Sequence, residues 1–440
     1  MDHQLLFIYL FLLLSVIISA AGAYVDANRS MKLFVFGDSY VDTGNRNFTA
    51  SSWKEPYGIT DPGRPAGHFS DGQVFTEYIA SRMGIKSPTP YRFRKIRPIK
   101  YGMNFAYGGT GVFDTLVAAP NMTKQIDLFE QLLQEKIYTT DDLKFSTALV
   151  SASGNDYGIY LARGGSLEGL PAFIVSVVNQ IGLDLQRIHD LGVPRVAIMG
   201  IQPLGCLPQF TKEYSYEICN STGNLVALFH NLLLTTMVEE LKPESKFVVL
   251  HMYDAFISAM KKFENETETS KSKNPLRPCC TGITSEYRCG DVKNGEKKYN
   301  VCRVPKLAFF WDSFHPTQAG WDAVVSELGS SIGLKARFMA GSNEVNLSES
   351  KVLFGVVIPD MDLLMVLFGD FDRILKIKFG LADGFVLFWE EVHRFWPVLS
   401  DLNSKISDFS PVLVYTAGGS TKYMDSNIQF QAGLRSSAPS

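Results

Sequence analysis

Residues 32–45, KLFVFGDSYVDTGN, run from an unbroken apolar stretch, Leu33 to Phe36, into Gly37, Asp38 and Ser39. A short apolar run with β-branched and aromatic residues suits a strand buried on both faces. Two readings of Ser39 are open at this point: a turn residue that follows a strand, or a nucleophile presented at the strand's end.

Comparable runs recur at Ala148 to Ser151, Val196 to Ile201 and Phe247 to Leu250. Between them lie helical spacings. In residues 169–191 the apolar positions Leu170, Phe173, Ile174, Val177, Val178, Ile181, Leu185, Ile188 and Leu191 repeat at threes and fours, one face of a long helix. Further helices are predicted over Gln73 to Met83, Lys124 to Ile137, Leu225 to Leu241 and Gln318 to Ile332. Strands alternating with helices predict an α/β fold with a parallel sheet covered on both sides. Ligands in such folds sit at the carboxyl ends of the strands, the edge to which the first strand delivers Ser39. GxSxG, P-loop and GxGxxG signatures are absent, so neither the nucleophile elbow of α/β hydrolases nor a nucleotide site is indicated.

The chain has 440 residues, 46% of them hydrophobic and 20% charged, with a formal net charge of −3. That composition supports a large core and, without a long charged block, gives no reason to expect nucleic acid or an anionic membrane as partner. Small neutral or amphiphilic ligands fit better. At the N-terminus, an apolar stretch from Leu5 to Ile18 leads to Ala21, Gly22 and Ala23, which reads as a signal peptide over residues 1–23 and implies secretion. A membrane anchor needs about 20 apolar residues. Cys206, Cys219, Cys279, Cys280, Cys289 and Cys302 form an even set that suits disulfides in an exported chain, with the pairing left open and no metal site indicated. Residues 276–303 read as a disulfide-tied surface loop. Sequons at Asn28, Asn47, Asn121, Asn220, Asn265 and Asn346 suit the same route, although a glycan on Asn47 would crowd the Ser39 loop.

After about Leu334 the character changes. GSNEVNLSES reads as a linker, residues 352–416 hold apolar runs without a clear period, and residues 418–440 read as disordered. The run at 352–369 is broken by Pro359, Asp360 and Asp362, which argues against membrane insertion. LMVLFGDFD, residues 364–372, echoes the opening stretch but has Phe371 in place of the serine.

A serine attacks a carbonyl only if a base takes its proton, a carboxylate orients the base and donors meet the oxyanion. His189 and His230 fall within helices and His251 ends a strand, positions that suit structural roles. His315 differs, lying in FFWDSFHPTQAGW between a strand-like run and a helix, with Pro316 favouring an extended backbone before it. Asp312, three residues earlier, can fold back to accept from Nδ1 and leave Nε2 facing a serine. The bland reading of this DxxH is helix capping. For the oxyanion, NFAYGGTGV offers Gly108, Gly109 and Gly111, and VSASGNDYG offers Asn155, although turns favour the same residue types.

FGDSYVDTGN, NFAYGGTGV, SGNDY and FWDSFHPT occur in the order of the four blocks of the GDSL or SGNH hydrolases. From about residue 31 to 334 the chain resembles the plant GDSL esterase/lipase branch, including PYG at Pro56, GHFSDG at Gly67 and GCLP at Gly205. The resemblance implies a flavodoxin-like three-layer α/β/α sandwich over residues 24–335, with 336–440 an unassigned extension. It implies Ser39 as nucleophile, His315 as base and then acid, and Asp312 as its orienting carboxylate. The oxyanion hole it implies is formed by the Ser39 N–H, the Gly109 N–H and the Asn155 side chain. Three departures stand out: Ser153 where the third block has Gly, His68 where GRFSDG has Arg, and the extension itself.

The expected function is a secreted ester hydrolase acting through an acyl-enzyme without metal or organic cofactor. Two rivals are weighed: a polysaccharide esterase or acyltransferase using the same residues, and a catalytically silent binding protein.

Overall fold

The computed structural model describes residues 31–241, 246–265, 274–331, 354–358, 363–367, 413–417 and 420–424. The signal peptide, Asn28, Asn346 and Phe371 lie outside the described residues. The chain divides into two units, residues 1–341 and 342–440.

In the first unit six parallel strands form one sheet: β1 (Lys32–Phe36), β2 (Thr89–Pro90), β3 (Gly102–Asn104), β4 (Ser146–Ser151), β5 (Arg195–Met199) and β6 (Lys246–Leu250). Their spatial order is β2-β3-β1-β4-β5-β6. β1 lies in the interior, with Leu33 in register with Gly102 of β3 on one side and Thr147 of β4 on the other. Leu33 to Phe36 are fully buried, as a central strand covered on both faces requires.

The helices of eight residues or more are α1 (Phe75–Arg82), α2 (Met122–Gln134), α3 (Asn155–Ala162), α4 (Leu170–Asp190), α5 (Ser221–Glu240), α6 (Met252–Asn265) and α7 (Gln318–Ser331). On one face α2 packs on α4 and α4 on α5; on the other, α1 and α6 both pack on α7. Alternate side chains of β1 feed the two layers. Phe34 and Phe36 meet Phe129 of α2, while on the opposite side Tyr40, Phe75 and Phe256 surround Trp321. The three-layer α/β/α sandwich is therefore present. Leaving aside the two-residue edge strand β2, its strand order is that of flavodoxin, with the order reversing between β1 and β4.

The four strands read from sequence match β1, β4, β5 and β6 within two residues, and the five predicted helices match α1, α2, α4, α5 and α7. The run before Asp312 is not a sheet strand: Phe310 makes isolated bridges to Pro278 and Pro316.

Residues 276–303 include a small antiparallel pair, β7 (Cys280–Gly282) with β8 (Tyr299–Val301). The open cysteine pairing resolves into Cys206–Cys219, Cys279–Cys302 and Cys280–Cys289. The segment is less superficial than a surface loop. Cys279, Cys280 and Cys289 are buried with Tyr57, Tyr299 and Trp311 in a second small core.

In the second unit Phe354–Ile358 pairs with Leu363–Leu367, and Leu413–Ala417 with Ser420–Met424, each antiparallel. Ser420–Met424 falls within the stretch read as disordered from residue 418, and its alternation Thr421, Tyr423 suits a strand; the rest of that stretch lies outside the described residues.

Candidate active site

The site begins where β1 ends. Gly37 adopts φ +132°, and a Cβ there would lie 2.1 Å from the Ser151 carbonyl oxygen, so only glycine lets the chain leave β1 this close to β4. Ser39 follows at the carboxyl edge, 7% exposed. This is the edge where the strand order reverses, the place where open α/β sheets bind ligands.

From residues 276 positions away, His315 reaches the same point. Its Nε2 lies 2.8 Å from Ser39 Oγ, and its Nδ1 lies 2.8 Å and 2.9 Å from the two Asp312 oxygens. An ionised carboxylate only accepts, so Nδ1 carries the proton and Nε2 is left as the acceptor for the serine hydroxyl. Asp312 also accepts from the backbone N–H groups of Phe314 and His315 at 2.9 Å each, and from the Tyr57 hydroxyl at 2.7 Å. Burial raises the Asp312 pKa, but the opposing effects of His315 and these donors win and hold it below the ordinary carboxylate value. Burial, then the charge of Asp312, pushes the Tyr57 hydroxyl well up, so it stays a donor.

The loop carrying Asp312 and His315 is clamped on several sides. Trp311 N–H donates to the His315 carbonyl at 2.7 Å, Tyr40 Oη donates to the Phe314 carbonyl at 2.8 Å, and Gln209 N–H donates to the Ser313 carbonyl at 3.0 Å. Cys280 N–H donates to the Trp311 carbonyl at 2.7 Å, which ties the disulfide segment to the loop. The GHFSDG stretch closes the opposite side: Phe69 lies 5.2 Å from the His315 ring, Ser70 donates to the Pro316 carbonyl, and Asp71 accepts from Gln318 N–H. His68, in the position of the family's arginine, is buried against the Gly72 carbonyl and Glu77.

The two candidate oxyanion loops are held by buried carboxylates that the sequence presents as turn residues. Asp42 accepts from the N–H groups of Gly44, Asn45 and Gly108 at 2.7–2.9 Å. Asp156 accepts from Val112 and Phe113. Burial raises both to about 6. Asp38 accepts from Tyr40 N–H, Ser151 Oγ, and both the N–H and hydroxyl of Ser153. The Ser153 departure thus adds a bond between the first and third sequence blocks that glycine lacks. Gln125 grips Gly37 through both its carbonyl and its N–H. Gly109 has φ +81°, and Asn155, the first residue of α3, donates to the Thr110 carbonyl at 2.9 Å. An amide NH2 has two donors, so one remains.

Other singled-out residues lie elsewhere. His230 is fully buried beside the Tyr157 hydroxyl, and His189 Nδ1 faces the Val193 carbonyl. Asn47 is exposed. Asn121 and Asn220 cap α2 and α5 by accepting from Lys124 and Gly223 N–H groups, and Asn265 ends α6.

With this geometry in place, residues 33–328 match the family described as GDSL-like Lipase/Acylhydrolase. The GDSL esterase/lipase At5g03610 of Arabidopsis thaliana is 49% identical over 313 residues, covering 69% of this chain and 87% of that protein. The GDSL esterase/lipase At3g09930 of the same plant is 50% identical over 310 residues, covering 68% and 88%. The chain belongs to the GDSL lipase/acylhydrolase family. It is a carboxylic ester hydrolase of the plant GDSL esterase/lipase kind.

Proposed function

We propose that the protein is a secreted serine esterase that works through an acyl-enzyme on Ser39. The observation that carries this reading is the continuous line Ser39 Oγ, His315 Nε2, His315 Nδ1, Asp312, each link 2.8 Å at its shortest. As Oγ attacks the ester carbonyl, its proton passes to Nε2. The resulting imidazolium faces Asp312, and the oxyanion is met by the N–H groups of Ser39 and Gly109 and the free amide hydrogen of Asn155. Collapse breaks the bond to the alkoxide, which leaves with the proton from Nε2. Water then gives a proton to Nε2, attacks the acyl-enzyme, and the carboxylic acid departs as Oγ recovers its proton.

The substrate is a small-molecule or lipid ester, and residues 24–335 form the hydrolase domain. Three disulfides support the secretory route, together with the signal-like N-terminus. The test is release of p-nitrophenol from short-chain p-nitrophenyl esters: a pre-steady-state burst approaching one equivalent of enzyme when deacylation is slower, and no release from Ser39→Ala. Turnover by Ser39→Ala equal to that of the native protein overturns the reading.

A further inference from the structure

The net charge of −3 hides a local reversal. Between Glu77 and Asp114 the chain carries no carboxylate and seven Lys or Arg side chains, five of them within residues 92–100. In the structure this segment forms part of the wall of a cleft of about 370 Å³, lined by Arg46, Arg92, Arg94, Tyr91, Tyr107 and Pro120 among others, none of them acidic. Among the described residues, no ion pair engages Arg46, Arg92, Arg94, Lys95 or Arg97. The Arg92 guanidinium donates to the Arg46 carbonyl at 2.7 Å and lies over the Phe48 ring, and Arg94 covers Tyr91. Arg46 is half-buried, with no side-chain hydrogen bond among the described residues.

Large apolar side chains stand exposed on the same segments. Ile96 is 78% exposed between Lys95 and Arg97, Phe48 is 58% exposed against Arg92, and Leu116 is 68% exposed in the loop that contributes Ala118, Ala119 and Pro120 to the cleft. That loop also carries Gly109, and Tyr107 N–H donates to the Gly37 carbonyl at 2.9 Å, two residues before Ser39. The cleft therefore adjoins the site.

We infer that this face docks the enzyme on an anionic lipid surface. Unpaired cations supply attraction of about 1 kcal/mol each near such a surface, and exposed Ile96, Phe48 and Leu116 supply apolar area that enters the headgroup boundary. A hydrated anionic polysaccharide would use the cations but gives no role to an isoleucine exposed at the centre of them. The inference rests on the ester-hydrolase reading only for its purpose, which is to present lipid esters to Ser39. A glycan on Asn47, which also lines the cleft, would cover this face, so Asn47 stays unmodified.

The experiment is sedimentation of the full-length Ser39→Ala protein, which leaves lipid intact, with phosphatidylcholine vesicles with or without 30% phosphatidylglycerol (about that fraction, to give strong surface charge). Expected are binding at least tenfold tighter to the anionic vesicles, loss of that preference in about 0.5 M NaCl as the charges are screened, and a tenfold or greater loss in Lys95→Glu/Arg97→Glu. Ile96→Ser weakens binding several-fold without removing its salt dependence. Equal binding to both vesicle types, an unchanged Lys95→Glu/Arg97→Glu, or a glycan found on Asn47 overturns the inference. So does binding to polygalacturonate with none to vesicles, which assigns the cations to a polysaccharide. Failure to bind vesicles while the native protein still releases p-nitrophenol defeats docking alone; binding without release defeats the hydrolase reading alone.

Discussion

The Tyr57 hydroxyl donates to Asp312 Oδ2 at 2.7 Å, from 255 residues earlier in the chain, on the carboxylate that holds His315. Tyr57 shares its small core with Cys279, Cys280, Cys289 and Trp311, so the PYG turn that supplies this donor packs against the disulfide segment.

Tyr57→Phe keeps the ring and removes only that donor. A hydrogen bond to a charged group contributes about 1.5–3 kcal/mol, part of which the remaining donors recover. The expected result is kcat lowered about tenfold with KM unchanged. Steady-state kinetics check this; an unchanged kcat, or a loss confined to KM, removes Tyr57 from the positioning of Asp312.

Gly108→Ala tests how the glycine loop bears on the histidine. The added Cβ would lie 2.2 Å from the Phe69 ring, which itself lies 5.2 Å from the His315 ring. Phe69 must move, and kcat is expected to fall at least tenfold, the order of effect of a small misplacement of reacting groups. Gly158→Ala is the control, since a Cβ there meets nothing within 4 Å. It should raise stability by about 0.8–1 kcal/mol through helix propensity, measured by thermal unfolding.

Stability should increase as pH falls from neutrality toward 5. Burial raises Asp42, Asp156 and Asp184 from 3.8 to about 6. A carboxyl raised in the native state adds stability that is full below its unfolded pKa and is lost as pH rises through the native one. Buried His230 works oppositely: lowered from 6.5 to about 3, its contribution is present above 6.5 and lost as pH falls toward 3. Three carboxyls outweigh one imidazole, so Tm rises by a few degrees between about pH 7 and pH 5. A steady fall in Tm over that window contradicts the balance.

The outline of this molecule was readable because the core strands are apolar on both faces: Leu33 to Phe36 stand out wherever they occur. β3 was not, since Gly102, Met103 and Asn104 become a strand only through their register with Leu33, Phe34 and Val35. His315 was found because Asp312 precedes it by three and Pro316 follows it, a local pattern. Tyr57 left no such trace, as its partner is distant in sequence. Asp38, Asp42 and Asp156 resemble turn residues until the N–H groups they collect are seen, and six cysteines do not state their pairing. The basic segment escaped notice because it is a lack of acids over a long stretch rather than a run of lysines and arginines.

The most direct test of Ser39 as nucleophile is reaction of the native protein with a fluorophosphonate, followed by intact mass and peptide mapping. The account predicts one adduct per chain, on Ser39, formed alongside loss of esterase activity, with little labelling of His315→Ala because Oγ then lacks its base. An adduct on another serine, or esterase activity retained by fully Ser39-labelled protein, contradicts it.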